Sequence, residues 1–496
     1  MENRKKAVIV GAGIAGLSAG IYAQRSGFEV TICEQHSIAG GMCTSWRRKG
    51  YLFEGAMHWL TGSSAKTGLY QEWTETGALN ENVKIYLPEN FRSAEWNGQI
   101  INLYRDVEKT KEHLMKISSE DKKQIQRLAS DVKAFSCLQI PVYDIKGVKS
   151  QNPKRISIKT LIKMFPAFTI MRRLSKISCK DYAQQFKHPG IQHLLRSIIG
   201  DDYSALSMIA TLATFNIGDG GYPEGGSLAM AERMVKTFKA LGGKLLLNTA
   251  VKKVNINQNA ATGVTLENGT VLEADAVIVA AETIAALGRL FDTPLQDQWL
   301  ADICKNTKPM ACTFIGIGIR AEIKQSPIPV WQLDEPVRHA GSTVEAIDFG
   351  LNNYWGYEGY APQGCTTLTT ALIGDTYDFW KKAKDEGRYE EEKHILAGQI
   401  SRVICKKFPQ AEGNIEVIDI ATPLTYERYT GAYHGSWMKI VGVGDTMKNY
   451  PGFSSNVNSL YFAGHRLMSV GGMPVAVDSG RRAAQMVCRQ FDAVFI

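Results

Sequence analysis

Cysteine is scarce and scattered in this chain. Its nine residues (Cys33, Cys43, Cys137, Cys179, Cys304, Cys312, Cys365, Cys405 and Cys488) are odd in number, and no two stand in a CxxC spacing. That argues against a disulfide framework and a structural zinc site, and a reducing, cytoplasmic compartment is the expectation. Long apolar runs are also missing. The longest, such as 276–281, are strand-sized, whereas a membrane-spanning helix needs about 20 apolar residues. The first ten residues pass from charged side chains straight into a short apolar stretch, so no secretory signal is expected. No Ser–His–Asp set, Walker A loop or metal-ligand spacing is visible, and no metal is expected.

Glycine is plentiful instead, 46 in 496 residues, a length that suggests two or three domains. The first glycines carry a message. Residues 7–10 (Ala-Val-Ile-Val) read as a buried parallel strand. Gly11, Gly13 and Gly16 follow at once in a GxGxxG pattern, and then a helix is predicted over 17–26. Residues 29–33 form the next strand, and Glu34 closes it. Gly11 permits the tight turn, Gly13 lets the backbone approach a pyrophosphate, and Gly16 lets helix and strand pack closely. The helix start, with Ile14 and Ala15, offers free N–H groups and partial positive charge to an anion. Glu34, with Gln35 beside it, stands where a carboxylate accepts ribose hydroxyls and would repel a 2′-phosphate. A dinucleotide site is therefore expected at the N-terminus. A later Gly442–Gly444 pair lacks the third glycine and a helix opening, so it reads as a loop and not as a second nucleotide site.

The residues after Glu34 narrow the expectation. Gly40-Gly41-Met42-Cys43-Thr44 precedes Phe53-Glu54-Gly55-Ala56-Met57-His58-Trp59. This resembles the second phosphate-contacting turn of the phytoene dehydrogenase and amine oxidase superfamily, and more nearly its carotenoid isomerase and retinol saturase branch. There the pattern is a Gly-Gly turn and then Phe-Asp-x-Gly-x-His; here Glu54 stands for the Asp and Ala56 for the Gly. Tyr222–Ser227, the strand after Gly242-Gly243 with Val251, and Thr422–Gly431 are similar to later family segments. Gly464-His465 with Gly472-Met473-Pro474 resembles the family's C-terminal flavin signature. The resemblance implies FAD, held also by Ala56, Met57 and His58. It implies an α/β fold with a discontinuous Rossmann-type FAD-binding domain (1–80, 215–300 and 420–496) and an α+β substrate domain (81–214 and 301–419).

Positive charge is concentrated in one segment. Residues 146–180 hold ten Lys and Arg and no acid, so the rest of a chain of net charge +8 sums to −2. Ile156, Ile158, Leu161, Ile162, Met164, Phe165, Phe168, Ile170 and Met171 interleave with the charge. A pair of substrate-domain helices with a solvated basic rim is one reading. A surface that docks peripherally on the inner, anionic membrane face is the other. No nucleic-acid motif accompanies the charge.

The family's lipid-soluble substrates favour docking and imply a hydrophobic small molecule of carotenoid or retinoid type. The expected reaction is desaturation, saturation or isomerisation of C=C bonds, with hydride moving between a substrate carbon and flavin N5. The electron partner is open. His58 is the candidate acid/base, because histidine titrates near neutrality. Glu54 reads as support for the loop or cofactor geometry, and Trp59, Trp331, Trp355, Tyr357 and Tyr360 as either tunnel walls or core aromatics. A flavin amine oxidase is the alternative enzyme on the same scaffold, and a prenyl-lipid carrier the remote non-enzymatic one.

Overall fold

Five short strands come from distant parts of the chain to build one parallel sheet. A computed structural model describes residues 4–138, 140–155, 158–347, 351–445, 448–468 and 471–496, without the side chains of 158–164, 166 and 439. In the sheet the order is Lys244–Leu246, Glu29–Cys33, Lys6–Val10, Ala276–Val279 and Leu460–Phe462. Ala7 pairs with Val30 on one side and Ala276 on the other, and Val277 pairs with Leu460. Residues pointing to opposite faces enter different cores: Ala7, Ile9 and Ile278 pack on one side, Val8, Val10, Val277 and Val279 on the other. Burial on both faces is why these strands read as unbroken apolar runs.

The opening helix, Ile14–Arg25, lies against this sheet and against the C-terminal helix Gly472–Gln490. Their approach is close. A Cβ on Gly480 would stand 2.3 Å from the Ala15 carbonyl oxygen, and Ser18 Oγ donates to the Val477 carbonyl at 2.7 Å. Leu17, Val477 and Ala484 share the same buried cluster.

A second, four-stranded sheet runs Asn352–Asn353, Thr366–Ile373, Cys312–Ile319 and Ile415–Ala421. All eight residues of Cys312–Ile319 are buried. Leu396, Ile400 and Ile404 of the helix Tyr389–Lys407 join its core. The charged stretch 381–408 is thus divided: Tyr377–Asp385 and Tyr389–Lys407 are separate helices around Gly387, whose φ is +73°. A third, helical core gathers Leu128 and Val132 of Lys122–Phe135, Ala167 and Leu174 of Ile158–Leu174, and Ile209 and Ala213 of Ala205–Asn216.

Within the basic segment the structure gives one long helix, Ile158–Leu174, and not a pair. Ile156 lies outside the described residues, as do the side chains of Ile158, Lys159, Leu161, Ile162, Lys163 and Met164. Part of the positive charge is neutralised. Lys154 bonds Glu75 at 3.0 Å, Lys149 bonds Asp492 at 2.6 Å and Arg173 bonds Asp131 at 2.5 Å. Arg172, Lys176 and Lys180 stay exposed, and Phe165 and Phe168 are 70% and 47% exposed. Among the described residues no helix is long and apolar enough to cross a membrane.

The contact between the two helices can be tested with alanine. Gly480→Ala forces a methyl into a main-chain oxygen and is expected to destabilise the fold by about 1–3 kcal/mol in urea unfolding, the usual cost of overpacking. At Gly398 of the helix Tyr389–Lys407 the new methyl would meet only the Arg402 guanidinium, at 3.9 Å. Gly398→Ala is therefore expected to be neutral or to stabilise by up to about 1 kcal/mol through helix propensity. Equal effects at the two positions would refute the close approach.

Candidate active site

The carboxyl ends of the parallel strands open onto a cavity of about 1620 Å³. Gly11 follows the strand Lys6–Val10, with φ +102°, and its Cβ position is 3.1 Å from the Ala281 nitrogen. Here only a residue free to take positive φ fits the turn. Gly13 is different: its φ of −69° and ψ of 176° suit any residue. The nearest atom to a Cβ there is the Gly40 carbonyl oxygen at 4.0 Å. Its glycine thus leaves open space on the cavity side, where the N–H groups that begin Ile14–Arg25 have no intrahelical acceptor. Gly16 turns inward instead. A Cβ on it would stand 2.0 Å from the Gly11 carbonyl oxygen, so it serves helix-to-turn packing and does not line the cavity.

The second glycine turn docks beside the first. Gly40 bridges Gly13, its N–H donates to the Ala12 carbonyl at 2.9 Å, and Gly41 brings its Cβ position within 3.3 Å of Gly13 Cα. Glu34 is buried at the rim. One oxygen accepts from the Ala12 N–H at 2.7 Å and the other from the His36 N–H at 2.9 Å. A carboxylate has about four lone-pair sites, so two remain for hydroxyl donors.

Ile14, Ala15, Gln35, Gly40, Gly41, Met42, Ala56, His58, Val251, Gly464, His465, Gly472, Met473 and Pro474 line this cavity together with Gly11, Gly13 and Glu34. Met57 does not: its side chain is 1% exposed in the sheet core, and its N–H donates to Glu54 at 3.0 Å. The start of the C-terminal helix at Gly472 and the start of the opening helix thus face one space. Gly464 has nothing within 4 Å of its Cβ position, which leaves that side open as at Gly13.

Glu54 sits behind the wall, 2% exposed. Oε1 accepts from the Ala56 N–H at 3.1 Å, the Met57 N–H at 3.0 Å and Ser227 Oγ at 2.5 Å; Oε2 accepts from the Ser227 N–H at 2.8 Å and Tyr222 OH at 2.9 Å. The loop it grips presents His58 to the cavity between Trp59 and Trp437, with ring centroids 6.3 and 6.0 Å away. His58 Nδ1 is 3.1 Å from the Asn352 side-chain amide. Burial, aided by the Arg92 guanidinium, pushes its pKa down from 6.5 to about 4. His58 is therefore neutral at pH 7, and the neutral-pH titration expected from its residue type is displaced by more than two units. The unfolded chain binds this proton near pH 6.5, so the depressed value removes stability as pH falls from about 6.5 towards 4.

Of the candidate tunnel aromatics only Trp59 lines the cavity. Trp331 borders a separate cleft with Glu95 and Lys407, and Lys324 lies over Trp355. Tyr357 and Tyr360 pack with Tyr222 and Tyr354 in a tyrosine cluster. Those four take the packing alternative, since aromatic type alone does not show which face a loop presents. Missed were Trp437, for which no local signal exists, and the 280–283 turn. The latter was legible in principle, because it follows a parallel strand, whose carboxyl end is where ligands bind in such sheets. The 442–445 stretch is a loop closed by Asp445 on the Gly442 N–H at 2.8 Å, as read; Thr446 and Met447 lie outside the described residues.

Part of the remaining lining is apolar, beside charged side chains that include Asp219, Asp385, Glu390, Asp419 and Glu427. Leu138, Ile140, Pro141, Ile198, Ile199, Leu206, Ala210 and Ile217 form a chamber, and Phe168 and Met171 of the basic helix border it. Two glycine-backed helix starts, an acid that closes the second strand and an apolar chamber thus open onto one cavity.

The comparisons give the class. Residues 14–488 match the model of the flavin containing amine oxidoreductases, and the chain belongs to that family. It is an FAD-dependent oxidoreductase of the carotenoid desaturase and retinol reductase type. The lycopene-forming phytoene desaturase of Paracoccus sp. (strain N81106 / MBIC 01143) is 26% identical over 281 residues, 55% of this chain and 54% of that protein, so the match spans about half of each. The all-trans-retinol 13,14-reductase of Danio rerio is 22% identical over 94% of this chain and 83% of that protein. Cyclohexylamine oxidase from Brevibacterium oxydans IH-35A superposes with a TM-score of 0.60 at 15% identity, covering 99% of this chain and 100% of that one. At that identity it shows the fold alone.

The space beside Gly13 gives a test of the cradle. Gly13→Val keeps an allowed backbone and meets no close protein atom, but fills the space before the helix start. Purified Gly13→Val is expected to match the parent in circular dichroism yet carry no yellow FAD absorbance, whereas the parent releases non-covalent FAD on denaturation. Full FAD occupancy in the variant would place the cofactor elsewhere.

Proposed function

We propose that this protein desaturates, saturates or isomerises C=C bonds of a hydrophobic polyene or isoprenoid-like lipid, by hydride transfer at flavin N5. One observation carries the reading: the cavity that begins at the glycine cradle continues into an apolar chamber bordered by Phe168 and Met171. Apolar walls offer a polyene burial at about 25 cal/mol per Å². FAD, when bound, supplies two-electron chemistry as hydride gain or loss. In this proposal Gly11, Gly13, Ile14, Ala15, Gly40 and Gly41 hold the pyrophosphate, Glu34 and Val251 the adenosine end, and Ala56, His58, Gly464 and Gly472–Pro474 the flavin end. The chamber residues exclude water. A spectrophotometric assay with carotenoid and retinoid substrates tests the reading, and peroxide release with amines in place of it would sink it.

His58 is proposed as the group that handles the substrate proton. A neutral imidazole can still donate its N–H, as other enzymes use it, and the Asn352 amide fixes the ring. His58→Gln is expected to keep FAD and lose about 10²–10⁴-fold in the chemical step. The pH–rate limb lost in the variant should lie near 4, where the parent His58 gains its proton, and not near neutrality. An unchanged rate and profile would make His58 a packing residue.

Segment 146–180 is proposed to dock the chamber mouth on an anionic bilayer. Exposed Phe165 and Phe168 stand on the helix that borders the cavity, and Arg172, Lys176 and Lys180 are exposed near it. Because Arg173 is engaged with Asp131, charge reversal should be made at Arg172 and Lys176. Sedimentation with phosphatidylglycerol vesicles is expected to fall several-fold in Arg172→Glu/Lys176→Glu and to become less salt-sensitive. A parent protein that ignores such vesicles would leave the segment a solvated face.

A further inference from the structure

The cavity wall contains a buried cation with one donor unspent. Arg466 follows the strand Leu460–Phe462 and is 2% exposed. Its Nε donates to Glu282 Oε1, and Nη2 donates to Ser436 Oγ at 2.9 Å. Nη1 has no hydrogen-bond partner among the described residues. Arg466, Glu282 and Ser436 all line the cavity. A buried polar atom without a partner costs free energy that folded proteins rarely leave uncompensated, so it asks for an acceptor that the described residues do not supply.

Position indicates the acceptor. Arg466 and Glu282 follow adjacent parallel strands, and the turn holding Glu282 begins against Gly11, whose Cβ position is 3.1 Å from the Ala281 nitrogen. Arg466 therefore belongs to the same row of strand ends as the Gly11–Gly13 cradle. That cradle offers backbone N–H groups and no cationic side chain of its own, while a pyrophosphate carries two negative charges. A neutral polyene has no use for a guanidinium. Glu282 is already committed twice: Oε1 to Arg466, and Oε2 to the Ala285 N–H at 2.8 Å, where it caps the helix Thr283–Arg289. Glu282 and Ser436 thus hold the guanidinium by two nitrogens and leave the third for the ligand.

We propose that Arg466 donates from Nη1 to a phosphate oxygen of bound FAD, with Glu282 and Ser436 as the residues that orient it. The proposal rests on the reading of this cavity as the FAD site and adds its charge-bearing side chain. Such a charge-assisted bond is stronger than the neutral bonds around it. Removing Arg466 alone would strand the Glu282 carboxylate in the interior, so the informative variant is Glu282→Gln/Arg466→Met, which deletes the pair together and keeps an amide oxygen to cap the helix. Arg466→Lys keeps charge but lacks the planar fork.

The test measures binding by the full-length protein. FAD affinity is read from the fluorescence of released cofactor, and ADP and adenosine are titrated as competitors. The double variant is expected to bind FAD and ADP about ten- to a hundredfold more weakly, the range for a lost hydrogen bond to a charged group, with adenosine unchanged. Arg466→Lys should lose less. A double variant with parental melting behaviour and unchanged ADP affinity overturns the proposal while leaving the FAD site intact. Equal losses for ADP and adenosine overturn it too, since they mark a structural role. Should the double variant not fold, Arg466→Lys decides: parental affinity for both FAD and ADP refutes the contact, and selective weakening towards ADP supports it. A parent that binds neither FAD nor ADP removes the underlying site as well.

Discussion

A single buried carboxylate holds one wall of the cavity in place. Glu54 takes five donors into two oxygens, from its own loop, from Ser227 and from Tyr222. An ionised carboxylate can stay inside a protein only when hydrogen bonds replace its hydration, so those five donors are fixed as a set. Glu54 ends the hairpin Ser45–Arg48/Tyr51–Glu54, and Ser227 lies in the first turn of Gly226–Ala240. Gly226 has φ +65°, and a Cβ there would stand 2.2 Å from Glu54 Oε2, so the carboxylate requires glycine opposite it. On the other side Phe53 lies against Gly316 and Tyr51 against Gly318, both in the second sheet. The hairpin is therefore clamped between a helix of the sheet-bearing core and the antiparallel sheet. The loop carrying Ala56 and His58 inherits its position from both.

A similar economy of space governs the cradle. Two helix starts can face one cavity only if the helices pack closely, and Gly480 against the Ala15 carbonyl permits that. The strands beneath set the row of ends from Gly11 through Ala280 to Gly464, and glycine or alanine at each leaves room. Small residues at these positions contribute little burial of their own. Stability comes instead from the apolar strands below, buried on both faces.

Legibility followed the range of the determining interactions. The sequence places the strand Glu29–Cys33 with its observed ends and 276–281 within two residues of Ala276–Val279, because burial of a parallel strand leaves a local apolar signature. The first helix begins at Ile14, three residues before the predicted start, since the glycine turn itself supplies its cap. What the sequence hid was pairing at a distance. Lys154 finds Glu75 and Arg173 finds Asp131, 79 and 42 residues away, which removes charge that a local count had assigned to the surface. Met57 differs, since its contact is local: its N–H donates to Glu54 three residues earlier, and its side chain is buried in the core.

The electrostatics of the wall have a consequence for the chemistry. Residue type suggested a histidine poised at neutral pH, but burial decides otherwise, and Arg92 adds to the effect; burial lowers Arg92 itself to about 10. Cys43 and Tyr203, also on the cavity, are pushed well up by burial, and so is Tyr426. All four of these lining groups (His58, Cys43, Tyr203 and Tyr426) are therefore neutral from about pH 5 to 10. The contribution of these four groups to the field in the cavity therefore stays constant as the solution pH shifts across that range. Charge on the lining comes from elsewhere: from the strand-end row, where Glu34 and the Arg466–Glu282 pair stand, and from side chains such as Asp219, Lys384, Asp385, Glu390 and Glu427.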